Sequence, residues 1–294
     1  MENTFKPPYI HIRENASHVM LDVIIVLLSL YAMATYYYGF RTIMLGAVAV
    51  ITAVIRDVIC KLLLRRPYSF KESSSIVTAL IIPLLMPAVI PYKVVIIAVS
   101  AALLIAKYPF GGVGKNMFNP AACGFSFAAI AFPKQVFAYP TPLDRIPIFG
   151  EYTGKLVSSN VNTLHLGGIP SGESMLELFL GNSPGPMGAT HVLVVAACLL
   201  YLIVRRAAKP ELPLTFLAVC ALFAFIFPRS EISGVESVIF ELTSGFIFFG
   251  AVFMLTDPVT SPKRFCSRIV YGIIAGIITM IFRRDVYKRQ QLQV

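Results

Sequence analysis

Charge is what this chain has least of. Only 14% of its 294 residues are Asp, Glu, Lys or Arg, against about 25% in a soluble domain, and 57% are hydrophobic. A soluble globule with a wet surface is excluded. Also missing is any series of ~10-residue segments of alternating polarity, which excludes a transmembrane β-barrel. The cysteines Cys60, Cys123, Cys198, Cys220 and Cys266 have no paired spacing. Four lie in or beside apolar runs, where a thiol acts as a small hydrophobe, and Cys266 lies in a short basic loop. No zinc or iron–sulfur site is expected within the chain. Nor is a secretory leader: the first apolar run begins near Val19, behind a charged segment and without a small-residue cleavage site.

What the chain does have is apolar blocks of membrane-spanning length separated by short polar loops. The expected class is an all-α polytopic membrane protein with about nine transmembrane segments. Helices are expected over Val19–Tyr38, Thr42–Leu64, Tyr92–Tyr108, Pro120–Phe132, Thr190–Val204, Leu212–Phe227 and Ile269–Phe282, with a further apolar run at Val238–Leu255. Ser174–Leu180 has the pattern of a short interfacial helix. Arg56 and Asp57, side by side near the end of the second helix, read as a pair snorkelling at the interface.

Ser75–Pro91 is a short apolar segment broken by Pro83, Pro87 and Pro91, and Ser244–Pro262 repeats its plan in the second half. Membranes tolerate such segments where backbone lines a cavity or is buried in protein, and paired broken segments are the pattern of inverted transporter-like repeats. The expected organisation is a single membrane domain over 1–284. Its first repeat covers about 19–133, its long polar loop 134–186 and its second repeat about 187–284.

A net charge of +10 reads as the positive-inside bias of a membrane protein rather than as a nucleic-acid surface, and no nucleic-acid partner is expected. With the N-terminus inside, the inner loops hold fourteen Lys and Arg residues and the outer loops six. The long outer loop also carries Asp144, Glu151, Glu173 and Glu177. This orientation puts Thr190 at the outer face.

Thr190 is the leading candidate for chemistry. It follows Gly185-Pro186-Met187-Gly188-Ala189 at the mouth of a membrane helix. Gly188 and Ala189 leave its hydroxyl sterically open, and a phosphate ester there would meet free backbone N–H groups and a positive dipole end. The commoner role of such a threonine is a helix N-cap. A second motif is the run Phe110–Ala121, with Gly111, Gly112 and Gly114 before Phe118, Asn119 and Pro120. It lacks the βαβ context of a dinucleotide fingerprint. Thr256-Asp257-Pro258-Val259-Thr260 is a third; Asp257 there reads as the cap of the following turn. His165 and His191 read as polar-loop residues rather than ligands.

In order and spacing, Ser75–Leu80, Phe110–Ala121, Gly188-Ala189-Thr190 and Thr256–Thr260 resemble the RnfD component of the Rnf ion-translocating electron-transport complex, in the NqrB/RnfD family. The likeness covers nearly the whole chain to about Arg284. It implies ten transmembrane segments in the intact fold and an FMN joined through its phosphate to Thr190, with Gly188 and Ala189 beside it. It also implies a non-covalent riboflavin, for which Asn119, Phe118, Gly111, Gly112 and Gly114 are candidates. Two positions depart from the family, which often has Glu at Ala189 and Ser at His191. The implied role is electron relay between reduced ferredoxin and NAD, coupled to Na⁺ or H⁺ movement. The other Rnf subunits and a flavin transferase would be its partners, in the cytoplasmic membrane of a bacterium or archaeon. Alone the chain would not be a complete enzyme. Alternatives are the NqrB component of the Na⁺-translocating NADH:quinone reductase, whose longer N-terminal extension contrasts with the short start at Met1–His18, a cofactor-free solute channel or transporter on the same repeat fold, and a membrane scaffold. Asp285–Val294 breaks the apolar pattern and includes Asp-Val-Tyr-Lys-Arg-Gln, which a transposon end used in library preparation can encode; it reads as an artefactual tail.

Overall fold

The computed structural model describes residues 16–64, 74–112, 114–150, 152–165, 175–228 and 233–291. The polar lead 1–15, Arg65, Arg66 and Lys71 of the basic loop, Gly167 and Gly168, and Glu151 and Glu173 lie outside the described residues. The fold is an all-α polytopic membrane architecture. In hydrocarbon every backbone polar group must be satisfied internally, and a helix does so within its own segment.

Helices α1 (Ala16–Tyr38) and α2 (Arg41–Leu63) form an antiparallel pair. The short α3 (Ser74–Leu84) carries Pro83 inside it. α4 (Tyr92–Ala101) continues as a π-helical turn over Ala102–Lys107, so the expected helix to Tyr108 is α-helical only in its first ten residues. α5 (Pro120–Ala131) is followed by the one-turn α6 (Pro133–Val136). The long polar loop holds a two-residue antiparallel ladder, β1 (Tyr139–Pro140) with β2 (Leu156–Val157), and the short helices α7 (Asn160–His165) and α8 (Met175–Leu180). α9 (Val192–Val204) and α10 (Glu211–Ile226) follow. α11 (Gly234–Thr243) bends by 65° into α12 (Ile247–Phe249), which runs on as a π turn over Gly250–Met254. The chain closes with α13 (Phe265–Gln291).

Among the described residues, three helices, α1, α2 and the Phe265–Arg284 part of α13, are long and apolar enough to cross a bilayer singly, and the bent α11–α12 pair makes a fourth if it counts as one span. Their outward faces are apolar too: Ile51, Val54, Ile55, Val58 and Leu62 of α2 are all exposed. Helices α1–α5, α9 and α12 share one buried apolar cluster; α10, α12 and α13 build a second. Gly272 and Gly276 sit one turn apart on α13, against Thr215 and Val219 of α10. Their missing side chains let the two helices approach closely, as small-xxx-small pairs do in membranes.

Two local expectations need correcting, and the apolar run Val238–Leu255 takes a definite form: it is not one helix. It starts earlier, at Gly234, because Ser233 and Glu236 form a reciprocal capping box, and it breaks at Ser244–Phe246, where Gly245 adopts φ +76°. Helix α9 starts at Val192, not at Thr190. Asp57 does not snorkel: it is buried and ion-paired to Lys61 at 2.9 Å, while Arg56 turns away to Ser100 at 3.1 Å. Both segments that the sequence pairs as repeats are interrupted helices, one by prolines and one by the Ser244–Phe246 bend.

Candidate functional site

The break after α3 fixes the segment leading to Thr190. Where the helix ends, the carbonyls of Leu84 and Met86 lose their intrahelical donors. Gly188 N–H donates to Leu84 O at 2.9 Å, and Met187 N–H to Met86 O at 3.1 Å. This pairing needs the backbones to touch: a Cβ on Gly188 would lie 2.6 Å from Leu84 Cβ. Ala189 is fully buried in the core. Gly188 and Ala189 thus work by packing and backbone pairing, clamping the turn that carries the next residue.

Thr190 is 3% exposed. The open hydroxyl expected from its small neighbours is not what the fold provides. Gly185 folds back against it, so closely that a Cβ on Gly185 would lie 2.5 Å from Thr190 Cγ2. Nor is Thr190 an N-cap. That position belongs to His191, whose side chain makes no capping bond, and the Thr190 hydroxyl donates to Pro186 O at 3.4 Å. The threonine lines a cavity of about 420 Å³. Tyr139, Asn160 and Ser183 of the polar-loop region form one wall, and Thr243, Ser244 and Phe246 of the α11–α12 bend the other. The bend is braced from behind: Arg283 donates to Ser244 O at 3.0 Å and pairs with buried Glu241 at 2.8 Å. Ser244 Oγ is buried with no hydrogen-bond partner among the described residues. Read from sequence, Asn160, Thr243 and Ser244 carry no link to Thr190. The signal was there, in polar side chains inside an apolar run.

His191 is a buried residue rather than a polar-loop one, at 1% exposure. Its ring packs against Tyr37 with centroids 4.6 Å apart. Nδ1 lies 3.3 Å from Leu180 O, an acceptor, so the proton is on Nδ1. Burial lowers its pKa to about 4, and the ring is neutral at pH 7.

A second cavity of about 700 Å³ lies at the other end of α12, where Ser74 and Thr78 of α3 face Asn116, Asn119, Thr256 and Asp257. Asn119 caps α5, its Oδ1 accepting from Ala121 and Ala122 N–H at 2.9 and 3.3 Å. Its Nδ2 donates to Met254 O at 3.2 Å, which ties the Phe110–Ala121 motif to the π turn after α12. Asp257 accepts from Val259 N–H at 3.3 Å and from the Thr260 hydroxyl at 3.1 Å, the turn-capping role read from sequence, and burial raises its pKa. Of the other residues singled out in this motif, Phe118 is exposed and packs edge-on to Phe110. Gly111, Gly112 and Gly114 make the turn leaving α4 with positive φ, and neither they nor Phe118 line the cavity. His165 is the last residue of α7.

Two cavities at opposite ends of a broken helix, each rimmed by one of the sequence motifs, are the geometry against which relatives can be compared. The sequence model of the NQR2, RnfD, RnfE family matches residues 3–286. The chain belongs to this family. The match ends inside the suspected tail at 285–294, through which α13 continues to Gln291. Among curated relatives, the D component of the Na(+)-translocating ferredoxin:NAD(+) oxidoreductase complex of Acetobacterium woodii is 30% identical over 94% of this chain and 83% of its own length. The D components of the ion-translocating oxidoreductase complexes of Actinobacillus succinogenes and Haemophilus influenzae are 29% and 28% identical, each over 94% of this chain and 87% of the relative.

Proposed function

We propose that this chain is the D-type membrane component of an ion-translocating ferredoxin:NAD oxidoreductase, and that it carries FMN esterified through its phosphate to the Thr190 hydroxyl. The observation that carries the reading is that Thr190, at the end of its glycine-rich turn, lines a hydroxyl-rich cavity instead of capping the helix behind it. The cavity gathers hydroxyls from separate segments around Thr190, and the unpartnered Ser244 Oγ fits a ligand rich in hydrogen-bonding atoms. The N-terminus of α9 offers its positive dipole end to the phosphate. Tyr139 and Phe246 offer aromatic faces, and Ser183, Thr243 and Ser244 offer hydroxyls that tune the ring by hydrogen bonding. When bound, the flavin supplies electron-transfer chemistry; the chain's residues hold it and keep water out. Because Thr190 is so deeply covered, a flavin transferase would act before the Ser244–Phe246 bend closes the cavity.

The second cavity suits a non-covalent flavin such as riboflavin, with Asn116, Asn119, Thr256 and Asp257 as amide and carboxyl partners for the ring. From Phe246 at one cavity to Val252 at the other is roughly 10 Å of helix at 1.5 Å per residue, a short relay path. With the N-terminus inside, as the positive-inside bias favours, the Thr190 cavity faces the outer side of the cell membrane and the second cavity the inner side. The other subunits of the complex would deliver and remove electrons, coupled to Na⁺ or H⁺ movement. The test is a denaturing gel of the chain co-expressed with a flavin transferase. A fluorescent flavin band that disappears in Thr190→Val supports the reading. A dark wild-type band sinks it and favours solute transport or scaffolding.

A further inference from the structure

Near the second cavity, five polar side chains from three segments are buried together. Lys61 Nζ lies 2.9 Å from Asp57 Oδ2. Asp57 Oδ1 accepts from Ser75 Oγ at 2.6 Å and from the Tyr108 hydroxyl. Ser75 Oγ in turn accepts from Lys107 Nζ at 2.6 Å. Lys107 is completely buried, and Asp57, Lys61 and Ser75 are each no more than 6% exposed. Burying ionised groups costs several kcal/mol each even after relaxation, and ionisable groups inside membrane segments are functional candidates by default.

Two features distinguish this cluster from a plain strut between helices. First, beside the direct ion pair of Lys61 with Asp57, a hydroxyl links Lys107 to the same carboxylate. A hydroxyl both donates and accepts, and here it does both, along one direction, with 2.6 Å on each side. Second, the chain of bonds does not stop at Ser75. Lys107 Nζ also lies 3.4 Å from Ser74 Oγ, and Ser74 lines the second cavity. The π turn at Ala102–Lys107 ends on this cluster, so that the consecutive residues Lys107 and Tyr108 both reach it; π turns inside helices recur at functional sites.

We propose that Asp57, Ser75, Lys107 and Ser74 form a proton relay that serves the second cavity. When Lys107 gives a proton through Ser74 to a basic ring nitrogen of a redox group in the cavity, the Ser75 hydroxyl rotates from Asp57 to donate to the amine lone pair so freed, and a proton arriving on Asp57 replaces the one that Ser75 gives up. One proton enters at Asp57 and one leaves at Ser74, so the relay groups end in their starting states. The acceptor rests on the reading of this cavity as a flavin site. Among the described residues, titratable groups facing the relay are Lys61 and Cys60 of α2, Tyr108 at the end of α4, and Asp257 across the cavity.

The experiment uses the intact complex carrying the full chain. Non-covalent flavin is released by acid and counted, and the reduction rate of that flavin is followed by stopped-flow absorbance in H₂O and D₂O. Ser75→Ala is expected to slow reduction about 100-fold, the low end of what a positioned proton-transfer group contributes, and to enlarge the solvent isotope effect. Ser75→Thr keeps the hydroxyl and is expected to restore both. Ser74→Ala leaves the Asp57–Ser75–Lys107 contacts in place and removes only the exit, so it slows reduction without loss of folding; a strut would be indifferent to it. Wild-type rates and isotope effects in Ser74→Ala, with normal flavin content, overturn the relay alone. Absence of acid-releasable flavin from the wild-type complex overturns both the relay and the reading of the cavity on which it rests.

Discussion

Replacing Gly188 with alanine tests the clamp beneath Thr190. The added Cβ would lie 2.6 Å from Leu84 Cβ and 2.9 Å from Leu84 Cδ2, more than half an ångström inside the ~3.5–4.0 Å optimum for carbon atoms. Neither partner can step aside, because the two backbones are joined by the 2.9 Å bond from Gly188 N–H to Leu84 O. Overpacking of this kind costs about 1–3 kcal/mol, and weakening the hydrogen bond adds about 1 kcal/mol. At ~2–4 °C per kcal/mol for a chain of comparable size, the thermal midpoint in detergent at a fixed scan rate should fall by about 5–15 °C. Flavin fluorescence at Thr190, two residues on, should fall with it. Leu84→Ala should not rescue Gly188→Ala, since the nearest clashing atom is the Cβ that alanine keeps; Leu84→Gly should rescue in part. Gly188→Ala with an unchanged midpoint would refute the idea that the broken first-half helix positions Thr190.

Further expectations follow from the same geometry. Gly185→Ala should destabilise by about 1–3 kcal/mol by pressing on Thr190 Cγ2; adding Thr190→Ser, which lacks that methyl but keeps the hydroxyl, should recover both stability and flavin attachment. His191 has a folded pKa of about 4 against 6.5 when free, so below pH 6.5 the unfolded chain takes up a proton that the native chain refuses. Stability should therefore fall by about 3 kcal/mol as pH drops from 7 to 4, and His191→Gln should flatten that part of the pH profile of thermal unfolding. Arg283→Met, which removes the ion pair to buried Glu241, should cost about 3–5 kcal/mol, and the double replacement Arg283→Met with Glu241→Leu should cost less; a larger loss in the double variant contradicts the bracing role.

Much of the fold was legible because lipid imposes a simple rule: long apolar runs become helices whose backbone satisfies itself. The prolines at 83, 87 and 91 announced the first break. The second break carries no proline and rests on Gly245 and on the Arg283 brace nearly forty residues away, which no local pattern reveals. Which helix face is buried was also hidden, because outward residues such as Ile51 and Val54 are as apolar as inward ones; the 3.6-residue alternation that marks a soluble helix is absent. Asp57 was misread for the same reason. Its partners Ser75 and Tyr108 lie 18 and 51 positions along the chain; a sequence window around Asp57 shows Arg56 beside it and Lys61 one turn on, a pattern that also fits an exposed helix end. At the Thr190 cavity the hydroxyl residue was legible from its glycine-rich lead, but its walls were not, since Asn160, Ser183 and Ser244 come from three separate segments.

The central claim is that Thr190 bears a flavin in the cavity between the polar loop and the α11–α12 bend. Its most direct measurement is peptide mass spectrometry of the chain co-expressed with a flavin transferase. The peptide containing Thr190 should be heavier by FMN less one water, with fragmentation placing the adduct on Thr190. An unmodified Thr190 peptide, or the adduct on another hydroxyl, contradicts it.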